Sequence, residues 1–145
     1  MINNSNIEQV KTLLKKSSEK PLIVKAQDES FNRKMLEYGK FDILLFPQEN
    51  KRHKDKPKQL DSSLNHILAG IAEKNKVSIG FDLNPIRNLD KKEKALALAR
   101  IKQDIKICRK SKAKISLINF KNKSSALNFL LSLGASTQQA KESIK

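Results

Sequence analysis

Short apolar runs alternate with amphipathic helical segments throughout the sequence, and this alternation limits the fold more than any other feature. Each apolar run has the length of a strand, and the run Phe41–Phe46 is typical of a strand buried on both faces of a parallel sheet. The predicted strands are Leu22–Ala26, Phe41–Phe46, Val77–Leu83 and Ile115–Phe120. Because a helix between two strands of one sheet usually makes a right-handed crossover between parallel strands, the sequence predicts an α/β fold.

Capping residues and apolar spacing delimit the predicted helices. Ser5 and Glu8 can form a capping box, Asp90 can cap the longest helix, and Gly39 can close the second. The predicted helices are Ser5–Ser17, a helix that starts at Asp28 or Ser30 and ends at Tyr38, Ser62–Asn75, Lys91–Lys112, Ser124–Leu133 and Ser136–Ile144. The apolar stripes expected to be buried are Leu64, Ile67, Leu68 and Ile71 in the third helix and Leu98, Ile101, Ile105 and Cys108 in the fourth.

The length of the chain restricts how such a sheet can close. A complete eight-stranded (β/α) barrel needs about 250 residues, whereas this sequence has 145 residues and four predicted strands. We therefore expect half a barrel or a small open sheet, that is, a truncated (β/α) TIM-like barrel. We expect a single α/β domain over residues 1–145, with an N-terminal helix in 1–20 and barrel-like βα units in 21–145.

The charge of the chain indicates its class of partner. Thirty Lys and Arg residues oppose fifteen Asp and Glu residues, which gives a formal net charge of +15. Such an excess is usually offset by a polyanion, and nucleic acid is the first interpretation. An anionic membrane surface is the second, although no segment has the length of a transmembrane span. The lone Cys108 and the polar first twenty residues favour a cytoplasmic location.

Two basic regions are the main candidates for contact with RNA. The first is the loop after the second predicted strand, and the second is one arc of the long helix, where spacings of three and four residues bring cations together. Lysine and arginine in such positions neutralise phosphates and give salt-dependent affinity. The candidate RNA-binding residues are Lys51, Arg52, His53, Lys54, Lys56, Lys58, Arg87, Arg100, Lys102, Lys106, Arg109, Lys110, Lys121 and Lys123.

No motif of catalysis is visible in the sequence. The two histidines, His53 and His66, belong to no metal-binding motif, and the four glycines fit no phosphate-binding loop. Asp82 ends a predicted strand, where a carboxylate can be catalytic, but we interpret it as a loop or helix-capping acceptor. We expect no catalytic residue and no metal ligand. The few aromatic residues favour recognition of RNA by its backbone or shape over base stacking.

Downstream of the basic loop, an ordered set of residues carries a resemblance. The set is Leu64, Asn65, His66, Leu68, Ala69, Ala72, Asn75, Ile79, Phe81, Leu83 and Pro85, then Arg100, Gln103, Ile105 and Lys110, then the tail Lys123–Ile144. It resembles the ribonuclease P protein component 3 family, and the resemblance extends over Val24–Ile144. The sequence lacks the additional N-terminal βα units usual in that family and begins with a helix, so it is similar to a shortened member.

The resemblance implies a function as well as a fold. It implies a barrel-like, non-catalytic subunit of the ribonucleoprotein that removes 5′ leaders from precursor tRNA, in which the RNA carries out catalysis with Mg²⁺. The protein itself would bind no cofactor. The implied partners are ribonuclease P RNA, precursor tRNA indirectly, and another small protein subunit in a heterodimer or heterotetramer. Asn65 and His66 would then serve structure or an interface.

Two alternatives remain open at this point. One is a general RNA-binding or structural module of the same fold. The other is a metal-dependent phosphoesterase-like hydrolase, since the barrel of the family is similar to that of such enzymes. A hydrolase of that class needs several His and Asp ligands at strand ends, and the sequence contains two histidines in all.

Overall fold

A computed structural model of the chain describes residues 1–48 and 63–144. In this part of the chain, four parallel strands form one sheet in the sequential order β1-β2-β3-β4. The strands are β1 (Ile23–Lys25), β2 (Ile43–Leu45), β3 (Ser78–Asp82) and β4 (Ile115–Ile118). A strand order that follows the sequence without reversal is that of a barrel segment, because doubly wound sheets reverse direction. The predicted fold class, a truncated (β/α) barrel-like fold with alternating strands and helices, is confirmed.

Helices connect the strands and follow the last one. They are α1 (Ile7–Lys16), α2 (Glu29–Tyr38), α3 (His66–Asn75), α4 (Leu83–Arg87), α5 (Lys91–Ser111), α6 (Lys123–Ser132) and α7 (Thr137–Ser143). Asp28 caps α2 and Asp90 caps α5, as the sequence predicts, and Gly39 ends α2 in the left-handed conformation. The predicted capping box at α1 is wrong, because Asn6 is the cap and accepts a hydrogen bond from the Gln9 N–H.

The core lies between one face of the sheet and the helices. In the register of the parallel strands, Val24, Leu44, Ile79 and Ile115 are aligned across the sheet. All four are buried and belong to one apolar cluster with side chains of the helices. Ile101, Ile105 and Cys108 of α5 belong to this cluster, so three of the four apolar residues predicted to be buried on this helix are confirmed as fully buried. Leu98 packs against its margin.

The other face of the sheet contains a close contact around one glycine. Ile43 and Leu45 alternate with Leu44 along β2 and are buried, but they lie outside the main cluster. A Cβ atom added to Gly80 on β3 would come within 2.4 Å of the Ile43 Cγ2 atom and within 3.2 Å of the Leu45 Cδ1 atom. Only glycine fits at this position without a shift of β2 side chains, because the side chains of Ile43 and Leu45 occupy the space that a Cβ atom would need.

The third helix differs from its prediction. It begins at His66 after the cap residue Asn65, so Leu64 precedes the helix instead of lying on it. The buried side is formed by Leu68, Ala69 and Ala72, whereas Ile67 is 55% exposed. The predicted burial of Ile67 is wrong, because the two alanines lie on the other side of Leu68 from Ile67 and that side faces the core.

The end of the third strand also differs from expectation. The strand stops at Asp82, whose side chain accepts a hydrogen bond from the Asn84 N–H and caps the short helix α4. Pro85 lies in the first turn of α4, where a missing N–H group leaves no helical hydrogen bond unmade. The interpretation of Asp82 as a capping acceptor is confirmed, and the Asn84-Pro85 pair opens a helix.

Residues before α1 contact the sheet as well. The Ile2 N–H donates to the Ile23 carbonyl, and the Lys25 N–H donates to the Ile2 carbonyl, each at 2.8 Å. Ile2 thus forms a parallel bridge with Val24 at the outer edge of β1. None of the helices in residues 1–48 and 63–144 is long and apolar enough to cross a membrane.

Candidate nucleic-acid interface

The carboxyl ends of β3 and β4 hold a network of polar side chains, which we call the carboxyl-edge network: Asp82, Asn84, Arg87 and Asn119. The Asp82 Oδ1 atom accepts from the Asn119 Nδ2 atom at 2.8 Å in addition to its capping bond. Arg87 donates from Nη1 to the Asn84 Oδ1 atom at 2.6 Å and from Nη2 to the Asn119 carbonyl at 3.0 Å. The Arg87 guanidinium is therefore held in one orientation while remaining exposed.

The backbone of Asn119 explains why this network forms. Asn119 has a φ of 60°, a left-handed conformation that asparagine tolerates better than most residues. This conformation ends β4 at Ile118 and directs the Asn119 side chain to Asp82 and its carbonyl to Arg87. Sequence reasoning did not identify Asn119 as a functional residue, and an asparagine at the end of an apolar run was the available signal.

Two predicted RNA-binding lysines lie next to this network. Lys121 and Lys123 are exposed on either side of Asn122, which caps α6 by accepting from the Ser125 N–H at 3.0 Å. Among the ion pairs between described residues, none involves either lysine. The structure therefore brings Arg87, Lys121 and Lys123 together at the carboxyl edge, as three cations available to a ligand.

A second basic surface, the α5 stripe, consists of Lys102, Lys106, Arg109 and Lys110. At 3.6 residues per turn these four side chains fall within an arc of about 100°, on the side of α5 opposite to the buried Ile101 and Cys108. All four are exposed. In the part of the chain that the structure describes, none of them makes an ion pair or a side-chain hydrogen bond. The two acids of α5, Glu93 and Asp104, lie outside this arc, and Asp104 is buried.

Arg100 does not belong to this surface. It is 4% exposed, and its Nη1 atom donates to the Gln48 carbonyl at 3.3 Å. Around the axis of α5, Arg100 lies about 100° to one side of the buried Ile101, and Lys102 lies about 100° to the other side. The side chain of Arg100 therefore faces the residues that follow β2, whereas Lys102 faces away from them. The prediction that Arg100 contacts RNA is not supported by this placement, and the residue instead ties α5 to the end of β2.

The two residues predicted to serve structure or an interface differ in position. Asn65 caps α3 by accepting from the Leu68 N–H at 2.9 Å, and its Nδ2 atom donates to the Glu29 Oε1 atom at 3.2 Å. These bonds give Asn65 a structural position that joins α3 to α2. His66, the first residue of α3, is exposed, and its predicted interface role stays a prediction.

The remaining candidates lie elsewhere. Lys51, Arg52, His53, Lys54, Lys56 and Lys58 lie outside the described residues. Within the described ranges, no group of three or more His, Cys, Asp or Glu side chains could hold a metal ion. Burial raises the pKa of the Cys108 thiol, and the nearby charge of Asp104 raises it further. A neutral thiol buried in this way is a packing residue, because the thiolate is the nucleophilic form.

Comparisons with known proteins show what the chain is similar to. No family model matches the chain. Ribonuclease P protein component 3 of Methanosarcina mazei is 33% identical over 95 residues, which are 66% of this chain and 36% of that protein. The chain thus spans about a third of the length of this curated relative.

A solved structure supports the fold. A chain of the cryo-EM structure of archaeal ribonuclease P with mature tRNA matches with a TM-score of 0.78 at 23% identity, covering 97% of this chain and 61% of that chain. This likeness extends over almost all of the residues of the present chain. The sequence identity and the shared fold together confirm the predicted resemblance to the ribonuclease P protein component 3 family.

Proposed function

We propose that this chain is a non-catalytic, RNA-binding protein subunit of ribonuclease P. The observation that carries the proposal is its 33% identity to ribonuclease P protein component 3 of Methanosarcina mazei. In this role the protein supports the catalytic RNA during removal of 5′ leaders from precursor tRNA. Ribonuclease P RNA is the direct partner, precursor tRNA is an indirect one, and Mg²⁺ acts on the RNA.

The geometry supports contact with RNA through positive charge. The net charge is +15, and the α5 stripe presents four cations with no partner in the described chain. Each pair of like charges on one helix face destabilises an isolated helix by about 0.2–0.5 kcal/mol. Phosphates of an RNA backbone would remove this repulsion and would release counterions, which gives salt-dependent affinity.

The protein partner is the less defined part of the proposal. We propose a second small ribonuclease P protein, in a heterodimer or heterotetramer, because a four-stranded sheet is half of an eight-stranded barrel. The structural neighbour belongs to an archaeal ribonuclease P assembly, which is consistent with such a partner.

Reconstitution of precursor-tRNA cleavage tests the function. Archaeal ribonuclease P RNA and its companion proteins, without component 3, are assayed at limiting Mg²⁺ with and without this chain. We expect the chain to increase the cleavage rate, and we expect the Lys102→Ala/Lys106→Ala/Arg109→Ala variant to increase it less. Lys15→Ala/Lys16→Ala/Lys34→Ala is the matched control, because it removes three exposed cations from α1 and α2.

The outcomes separate the alternatives. An unchanged cleavage rate with the wild-type chain contradicts the proposal. RNA binding without stimulation of cleavage would indicate a general RNA-binding module of the same fold. Phosphoester cleavage by the protein alone would indicate a hydrolase, although the described residues offer no metal-binding group to support that function.

A further inference from the structure

The helices α3 and α5 each end at a lysine, shortly before the strands β3 and β4 begin. Lys76 is the C-cap of α3 and Lys112 is the C-cap of α5. Lys114 directly precedes β4, and its carbonyl accepts from the Ile79 N–H of β3. The three lysines line one cavity of about 220 Å³ together with Ala72, Glu73 and Val77. We call Lys76, Lys112 and Lys114 the amino-edge lysines.

The backbone of two of these lysines is in an unfavourable conformation. Lys76 has a φ of 58° and Lys112 a φ of 64°, in the left-handed region where a Cβ atom is strained and glycine is preferred. The same chain ends α2 with Gly39 at a φ of 67°. The geometry of the helix ends therefore does not require lysine, and glycine would fit the same backbone better.

The helix dipole does not account for this choice of residue. A cation near a helix C-terminus is favourable, but α3 already has Lys74 in its last turn and α5 has Arg109 and Lys110. The cations in the last turns already interact favourably with the helix dipoles, so lysine at the two cap positions is not needed for that purpose. Glycine at the same positions would have the lower backbone strain. A ligand of negative charge would account for lysine at both cap positions.

The amino-edge lysines continue the α5 stripe. Lys112 and Lys114 also line a neighbouring cavity of about 490 Å³ with Arg109, a member of the stripe. The acids on the two cavities are Glu73 and Glu142. None of the ion pairs between described residues includes Lys76, Arg109, Lys112 or Lys114. A single cationic surface therefore runs along α5 and over the ends of α5 and α3.

The chemistry of this surface fits a nucleic-acid backbone better than a protein. A protein interface usually has an apolar or aromatic centre. The exposed large hydrophobic side chains of the described chain are Met1, Leu13, Ile67 and Leu131, and none of them lines either cavity. Lysines act as point charges that neutralise phosphates without reading sequence.

We propose that the amino-edge lysines form a phosphate-contact site, at which an RNA strand that follows the α5 stripe continues over the ends of α5 and α3. This site lies at the opposite end of the sheet from Arg87, Lys121 and Lys123. It rests on the proposed function in one respect, namely that the polyanion is ribonuclease P RNA.

Glycine substitution separates a ligand-binding role from a structural one. The Lys76→Gly/Lys112→Gly variant removes two charges and relieves two strained backbones, so we expect its melting temperature to be unchanged or higher. We expect its affinity for in vitro transcribed archaeal ribonuclease P RNA to fall about tenfold at about 0.1 M salt, with a salt slope reduced by about 1.5. Lys15→Ala/Lys16→Ala is the charge-matched control, and its affinity should stay within about twofold of the wild type.

The result that overturns the site is an RNA affinity of the glycine variant equal to that of the wild type. The proposed function still stands after that result if the wild-type chain binds the RNA and the α5-stripe variant binds it weakly. Absence of RNA binding by the wild type refutes both.

Acetylation footprinting gives a second readout that needs no substitution. Lys76, Lys112 and Lys114 should be protected from acetylation by bound RNA, whereas Lys15, Lys16 and Lys20 should react as in the free protein. Equal acetylation of the two groups of lysines with and without RNA would overturn the site.

Discussion

Arg87 at the carboxyl edge and Lys102 on α5 are both exposed cations, but the protein holds them differently. Arg87 donates two hydrogen bonds, to Asn84 and to Asn119, and so it joins α4 to the end of β4. Lys102 and the other members of the α5 stripe make no ion pair or side-chain hydrogen bond within the described chain. We infer that Arg87 contributes to the stability of the fold. The α5 stripe makes no such contact, and in the proposed function it contributes to RNA binding.

Charge reversal on the α5 stripe should produce the largest effect on binding. For Lys102→Glu/Lys106→Glu/Arg109→Glu we expect RNA affinity to fall at least about 100-fold at about 0.1 M salt, because three phosphate contacts are lost and three repulsions are added. Unfolding free energy should change by less than about 0.5 kcal/mol per position. Filter binding and thermal denaturation measure the two quantities. A large loss of stability would contradict the separation of roles.

Removal of Asp82 tests the carboxyl-edge network through stability. Asp82→Ala loses the cap of α4 and the acceptor for Asn119, so we expect the free energy of unfolding to fall by about 2 kcal/mol. Asp28→Ala is the matched control, because it loses only the cap of α2 and should cost about 1 kcal/mol. RNA affinity should not fall in either variant. Equal losses of stability would show that the Asn119 contact contributes nothing.

Arg87→Lys is a smaller test of the same network. Lysine keeps the charge but cannot donate to the Asn84 side chain and the Asn119 carbonyl in the same planar geometry, so we expect a loss of about 1 kcal/mol. Lys102→Arg, the corresponding exchange on the α5 stripe, should leave stability within about 0.5 kcal/mol. Chemical denaturation of both variants decides whether the two cations differ as the structure indicates.

The buried side of α5 gives the smallest expected effect. Because the pKa of the Cys108 thiol is raised in the folded protein, the unfolded chain releases this proton at a lower pH than the folded chain does. Stability should therefore decrease as the pH rises above about 8.5, the usual pKa of a thiol. Cys108→Ala removes this contribution to the pH dependence of stability. Melting temperatures of the wild type and the variant, measured from about pH 7 to about pH 9.5 in steps of about half a unit, test the prediction. Parallel curves would contradict the raised pKa.

The sequence specified the fold well because periodicity and caps are local signals. The positions of the four strands and the cap residues Asp28 and Asp90 all follow from apolar runs and side chains near in sequence. Ile67 shows the limit of this reasoning. Its exposure depends on which side of α3 faces the core, and the small side chains Ala69 and Ala72 lie on that side, which the spacing of large apolar residues did not reveal.

The candidate site could be predicted only in part, because charge does not reveal what a side chain contacts. Lys102 and Arg100 are two residues apart and look alike in the sequence, but one is exposed and the other donates to the Gln48 carbonyl. The carboxyl-edge network depends on the left-handed Asn119 and on a contact between residues 37 positions apart in the chain. Such contacts arise from strand adjacency and have no local signal.

The salt dependence of RNA binding tests the central claim most directly. The logarithm of the association constant for ribonuclease P RNA is measured against the logarithm of the salt concentration for the wild type and for Lys102→Ala/Lys106→Ala/Arg109→Ala. If these three cations contact phosphates, the slope for the variant should be smaller by about 2–3, since each contact contributes about 0.7–0.9. An unchanged slope would show that the α5 stripe is only solvated and would contradict the account.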